Sequence, residues 1–136
     1  MGTGYEYRCP NCKYETEILL GIGLFFHRTQ KRVTEQAAKG KFGVTLKQIV
    51  KHGNSVTVSP AKYLYYCEDC HVCKNDYCLN VYEELDNLKS EEIYRFIHKC
   101  PICHKEMKRT DQKPSFALKC PKCNTIMDYS GDIMWD

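Results

Sequence analysis

Eight cysteines stand in four C-x-x-C pairs: Cys9/Cys12, Cys67/Cys70, Cys100/Cys103 and Cys120/Cys123. A thiolate at each end of a tight turn, supplied twice, gives four soft ligands at about 2.3 Å around a d10 ion. That is a structural zinc site, and four pairs make two. CPIC at 100–103 and CPKC at 120–123 have sixteen residues between them. The interval fits the zinc pattern C-x2-C-x15–20-C-x2-C. Grouping neighbours along the chain then leaves Cys9, Cys12, Cys67 and Cys70 as the other site. Three of the four pairs read C-P-x-C. Proline after the first Cys presets φ near −65° and removes an N–H that the turn does not need. Two Zn2+ ions are the expected cofactors.

Rival cysteine chemistries fit less well. The N-terminus MGTGYEYRCP is polar and carries no export signal, so reduced thiols and a cytoplasmic location are expected. Thioredoxin-like redox chemistry needs a βαβ setting and uses one C-x-x-C, not four. The remaining cysteines, Cys73 and Cys78, extend residues 67–78 to C-x2-C-x2-C-x4-C. The ferredoxin run has three residues before its last Cys and a proline after it, whereas Leu79 stands here. Cys73 and Cys78 therefore read as strand or loop thiols, with a thiol or zinc sensor as the minor alternative.

A catalytic zinc keeps an open position, and four thiolates leave none. The histidines (His27, His52, His71, His98 and His104) form no H-E-x-x-H or H-x-E…P-C-x-x-C pattern. His71 and His104 each follow a pair and are conceivable substitute ligands, but the cysteine count already suffices. No phosphate loop, dinucleotide fingerprint or Ser/His/Asp cue is present. The expectation is no enzyme and no small-molecule substrate.

Each pair needs strands to hold it. Tyr5–Arg8 and Tyr14–Leu20 alternate around the first pair and read as a hairpin ended by Gly21 and Gly23. Fifty-four residues separate Cys12 from Cys67, too many for a structureless loop. Within them Thr29–Lys39 reads as a helix with Val33 and Ala37 inward and Gly40 just past its end. Thr45-Leu46-Lys47-Gln48 has the form of a capping box opening a second helix, with Leu46, Ile49 and Val50 on one face and Gly53 as the stop. Val56–Val58 and Lys62–Tyr66 read as strands, the latter feeding Cys67. Leu79–Tyr82 is a further strand. Ser90, with Glu91 and Glu92 behind it, reads as the cap of a linker helix whose inner face is Ile93, Phe96 and Ile97. Residues 116–119 and 125–129 complete a second ribbon, and Ile133, Met134 and Trp135 are expected to pack on a ribbon face rather than bind a partner. The second hairpin has the look of a diverged repeat of the first.

The reading is a small zinc-stabilised α+β protein: two zinc β-ribbons, the first carrying a helical insert. Its expected parts are 1–86, an N-terminal ribbon with a basic insert over about 24–62; 87–98, a helical linker; and 99–136, a C-terminal ribbon.

Net charge is +3 with neutral thiols. Each Zn(Cys)4 unit carries about −2, which brings the loaded chain to about −1. The distribution is more informative. Residues 24–66 carry a net +7, with Glu35 the one acid, while 67–99 carry a net −4. Lys31, Arg32, Lys39, Lys41, Lys47 and Lys51 are the candidate phosphate contacts, and Tyr63, Tyr65 and Tyr66 the candidate stacking platform for unpaired bases. The plain alternative is a solvated helix surface and packed tyrosines. A protein-interaction adaptor, using sheet edges and the acidic connector, is the second functional reading. The longest apolar run, Ile18–Phe26, has nine residues and two glycines, whereas a membrane span needs about 20. No membrane partner is expected.

With these motifs placed, the chain resembles rubredoxin-like zinc-ribbon proteins. YEYRCPNC at 5–12, continuing through YETEILLGIGLFF, is similar to the N-terminal ribbon of FmdB-type putative regulatory proteins over about the first 25 residues. The whole layout, with its GIG turn, its KGKFG-bearing insert and a later CPxC/CPxC ribbon, resembles a group of small bacterial zinc-ribbon proteins without established activity. The resemblance implies metal binding and a regulatory role. Rubredoxin knuckles place Gly after the second Cys; Lys13, His71, His104 and Asn124 stand there instead. Of these, Asn takes left-handed φ most easily, so zinc is expected over an electron-transfer iron.

Overall fold

The computed structural model describes residues 2–23, 25–53, 55–85, 90–114 and 116–135. In chain order the elements are β1 (Gly2–Arg8), β2 (Glu15–Leu20), α1 (Phe26–Ala38), α2 (Val44–His52), β3 (Val56–Val58), β4 (Lys62–Tyr66), β5 (Cys73–Tyr77), β6 (Val81–Glu84), β7 (Ser90–Tyr94), β8 (Lys108–Thr110) and β9 (Asp128–Trp135). Its described residues form an α+β arrangement of two helices and three small antiparallel sheets, ordered β2-β1-β9, β3-β6-β7 and β5-β4-β8.

The chain divides into two interleaved units. Unit 1 is Met1–Leu24, Lys62–Asp76 and His98–Asp136; unit 2 is Phe25–Ala61 and Tyr77–Ile97. The boundaries 1–86, 87–98 and 99–136 cut across both.

Unit 2 contains the helical insert, but more besides. Its core gathers Val33 and Ala37 of α1, Leu46 of α2, Val58 of β3, and Leu79 and Val81 at β6. Helix α1 ends as expected, at Lys39 with Gly40 at φ 87° behind it. The capping box at Thr45 does not form. Gly43 takes the N-cap position without a side-chain bond, and Val44 already begins α2. Thr34 ties helix to sheet: its hydroxyl donates to Gln30 O (2.8 Å) and accepts from Val58 N–H (3.1 Å). Burying a Leu or Val side chain contributes about 1.5–3 kcal/mol, so these six residues form a core of their own.

The expected linker helix is a strand. Over residues 93–100 exposure alternates strictly, with Tyr94 and Phe96 half-buried, His98 buried, and Ile93 and Ile97 42% and 44% exposed. Tyr94 and Phe96 pack against the unit 2 core, and β7 pairs with β6. The spacing of Ile93, Phe96 and Ile97 suits a helix, but period two buries the two aromatics, and that pattern wins. Residues 87–89 of the expected linker, and Leu24 of the apolar run, lie outside the described residues.

Unit 1 holds two ribbons of the same build. In the first, hairpin β1–β2 gains β9 beside β1, in register from Gly2↔Trp135 to Arg8↔Asp128 with a bulge after Glu6. In the second, hairpin β4–β5 gains β8 beside β4, from Leu64↔Thr110 to Tyr66↔Lys108. The repeat is real but nested: ribbon 1 is the chain's two ends, and ribbon 2 lies between them. Trp135 packs on its ribbon as expected. Its indole N–H donates to Thr3 O and Leu20 O, each at 3.0 Å, and a Cβ at Gly2 would run into the ring. Among the described residues, no helix is long and apolar enough to cross a membrane.

Candidate metal centres

All four C-x-x-C pairs fold the same way. The first Cys donates its N–H to the carbonyl five residues on (Tyr14, Val72, Lys105 or Thr125; 2.7–2.9 Å). Its own carbonyl accepts from the N–H four residues on (Lys13, His71, His104 or Asn124; 2.9–3.1 Å). Those four residues sit at φ 65°, 57°, 61° and 63°. The left-handed turn is thus present in every knuckle, although only one of the four residues favours it. The fold imposes the conformation on two histidines and a lysine, at a cost of about 1–3 kcal/mol each. The lack of glycine at these positions therefore gives no argument against a rubredoxin-like knuckle.

The knuckles meet as two groups of four: Cys9, Cys12, Cys120 and Cys123 (site 1), and Cys67, Cys70, Cys100 and Cys103 (site 2). Within each group the sulfurs lie within 4.8 Å of one another. Cys9 Sγ is 3.4 Å from Cys123 Sγ, Cys12 Sγ is 3.5 Å from Cys120 Sγ, and Cys67 Sγ is 3.6 Å from Cys103 Sγ. A tetrahedral ion with 2.3 Å bonds sets its sulfurs about 3.8 Å apart, so each group fits one metal ion with little adjustment. In every knuckle the first Cys is buried and the second is more exposed. Backbone N–H groups already point at sulfur, from Cys12 to Cys9 (3.5 Å), Ile102 to Cys100 (3.4 Å) and Lys122 to Cys120 (3.4 Å). Such donors spread the charge of a thiolate cage.

All eight cysteines read from the sequence are used, but not in the expected sets. Chain-neighbour grouping joined 9/12 with 67/70 and 100/103 with 120/123; the observed sets are outer with outer and inner with inner. Sixteen residues satisfied the ribbon spacing between Cys103 and Cys120, yet spacing does not bring knuckles together; strands do. The strand leaving Cys123 is β9, which lies along β1, and the strand leaving Cys103 reaches β8, which lies along β4. Charge agrees. The CEDC knuckle places Asp69 2.9 Å from Lys105 and Glu68 2.9 Å from Lys108, beside its partner knuckle.

As thiols, two sulfurs in each group are pulled in opposite directions. Cys123 is drawn down to about 5 by the Thr125 hydroxyl and N–H and by Asn11, and Cys100 to about 7 by the backbone N–H groups of Cys103 and Ile102. The Tyr14 backbone contact pulls Cys12 down, but desolvation and the Cys120, Cys123 and Cys9 thiols outweigh it and push it up to about 12. Desolvation and the neighbouring thiols raise Cys70 to about 12 as well. One sulfur in each group is ready to ionise and another holds its proton, the pattern of ligands whose protons a metal displaces.

No histidine joins either group. His27, His52, His71 and His104 are exposed, and His98 is buried with its ring stacked on Tyr65 at 3.8 Å. Cys73 opens β5 and Cys78 follows it, buried. A five-residue strand sets them about 16 Å apart, beyond the roughly 7 Å Cα limit for a disulfide. The basic candidates lie in unit 2. Lys31, Arg32, Lys39, Lys41 and Lys51 are exposed on or beside α1 and α2, and Lys47 is half-buried. The tyrosine platform does not exist as read. Tyr65 is 4% exposed, Tyr63 lies under the Arg109 guanidinium at 4.4 Å, and Tyr66 packs on Phe116 at 4.8 Å.

No protein-family model, curated protein or solved structure matches the chain. The zinc-ribbon likeness therefore rests on the two four-cysteine groups and the sheets that carry them, and no comparison supports an FmdB-type likeness.

Proposed function

We propose that the protein is a non-enzymatic, cytoplasmic module with two structural Zn2+ ions whose basic helical face binds nucleic acid in a regulatory role. Zinc suits four thiolates with no open position, a closed set that supports a structural rather than a catalytic metal. The observation that carries nucleic-acid binding is the state of the cations in unit 2. Among the described residues Lys31, Arg32, Lys39, Lys41, Lys47 and Lys51 form no ion pair, and Arg32 donates only to the Tyr77 hydroxyl (3.1 Å). Unneutralised cations on one small unit are what phosphates need for counterion release. With the tyrosines packed, contact is expected through phosphates more than through base stacking.

Fluorescence anisotropy of the zinc-loaded protein with labelled single- and double-stranded DNA and RNA tests this, at about 50 and about 200 mM salt. Six phosphate contacts weaken binding about a thousandfold over that range. Reversing Lys31, Arg32, Lys39 and Lys41 should abolish binding while both metals stay bound. No binding at low salt removes the reading.

A further inference from the structure

Strand β2 is an edge of ribbon 1, and β5 is an edge of ribbon 2. A cleft of about 780 Å3 opens beside both, touched by Thr16 and Glu17 on one side and by Cys73 and Asn75 on the other. What the cleft accepts follows from the hydrogen-bond parity of β2. In an antiparallel strand both backbone groups of a residue point to one side, and the side alternates along the chain. Leu19 donates its N–H to Asn75 Oδ1 (2.9 Å), and its carbonyl accepts from Asn75 Nδ2 (2.8 Å). Gly21 exchanges both bonds with the Lys62 backbone (2.8 and 2.9 Å). Leu19 and Gly21 therefore face away from β1, and Glu17 faces the same way. At Gly21 the outer edge meets a peptide, and at Leu19 it meets a carboxamide standing where a peptide would be. At Glu17, among the described residues, the N–H and C=O meet nothing.

The group that continues this series is another peptide backbone. Its charge is set by the rim, where Lys119 and Lys122 are exposed and form no ion pair among the described residues, Lys74 is matched by Asp76 at 3.7 Å, and Glu17 is the single acid among the lining residues against three lysines. Lys122 is held at the cleft by the Tyr14 ring, 5.3 Å from its centroid. We propose that the cleft between β2 and β5 binds an extended, acid-bearing peptide segment of a partner protein, added as a strand along β2 from Glu17. Backbone bonds supply the binding and the lysines the preference. This surface belongs to unit 1, so it stands whether or not unit 2 binds nucleic acid.

The test is an NMR titration of the 15N-labelled, metal-loaded chain with the capped peptide acetyl-Val-Glu-Val-Glu-Val-amide. Saturable shifts are expected at the amides of Glu17, Cys73 and Asn75, together with about tenfold slower exchange of the Glu17 N–H. The lysine counterpart of the peptide should bind about tenfold more weakly. A peptide N-methylated at its central residues should lose binding, and so should Glu17→Pro, which removes an outward N–H that an edge strand can spare. The proposal is overturned by no saturable shift up to about 5 mM peptide, a regime where even weak strand addition registers. It is equally overturned if the N-methylated peptide binds as well, or if shifts are confined to Lys119 and Lys122. The unmodified protein gives these answers even if Glu17→Pro fails to fold.

Discussion

Cys9 and Cys123 hold their sulfurs 3.4 Å apart although they stand 114 positions apart in the chain. A metal at site 1 thus closes almost the whole polypeptide, with ribbon 2 and unit 2 inside the loop. By loop-closure entropy a link across about 100 residues restricts the unfolded chain by roughly 5 kcal/mol. The pairing has a direct consequence. In Cys120→Ala, alkylation followed by mass spectrometry should find Cys9, Cys12 and Cys123 reactive, while Cys67, Cys70, Cys100 and Cys103 stay protected and one metal remains. Reactive Cys100 and Cys103, with Cys9 and Cys12 protected, would show that chain neighbours share the metals after all.

Both four-cysteine groups belong to unit 1, and no cysteine of either group enters the unit 2 core. Exhaustive chelation should therefore unfold the ribbons and leave unit 2 folded, since its helices and sheet depend on Val33, Ala37, Leu46 and Val58 rather than on a metal. Losing ribbon 2 turns residues 62–76 into a loop, and loops of that size cost little to close. In the chelated protein, amide spectra should keep the dispersed signals of Val33, Leu46, Val58 and Val81 and lose those of β1 and β9. Collapse of every dispersed signal at once would show that the two units fold as one.

His104 holds φ 61° at the turn of its knuckle, with its side chain exposed and its N–H bound to Cys100 O (2.9 Å). Glycine adopts this conformation without strain, though it also frees the unfolded chain. His104→Gly should stabilise the loaded protein by up to about 1 kcal/mol, while Ala in the same place should give no such gain. Urea unfolding of the two variants separates relief of strain from mere loss of the imidazole.

What was legible in the sequence was local. The Cys pairs announced four knuckles, and Val33 and Ala37 announced the buried side of α1. Long-range partnership was not announced. Nothing in CPKC marks it for Cys9 rather than Cys100, because that choice is made by β9, whose residues 128–135 mix Asp, Ser and Gly with Ile, Met and Trp. The acids of the CEDC knuckle and the lysines at 105 and 108 were a readable hint of the inner pairing. Capping also misled at Thr45. Gly43 at φ 105° turns the chain and takes the N-cap position two residues before Thr45.

Residues 90–97 show the same limit, because one buried polar side chain decides them. Asn80, 4% exposed, accepts a bond from Phe96 N–H (2.9 Å) and donates to Glu92 Oε1 (2.9 Å), holding the extended chain against β6. Asn80→Ala leaves the Phe96 N–H without its acceptor and should cost about 2 kcal/mol, with faster amide exchange at Tyr94 and Phe96 than at Val33. Asn80→Asp keeps the acceptor but sets a second carboxylate against Glu92, which raises the pKa of the pair in the folded state. A pKa raised on folding gives stability below the unfolded value that is lost as pH rises through the folded one. The Asp variant should therefore approach the parent at about pH 4 and fall behind it by pH 7, while the Ala variant stays equally destabilised at both. Urea unfolding at the two pH values decides it, since a parallel loss for both variants would mean that Asn80 fills space rather than holding β7 in place.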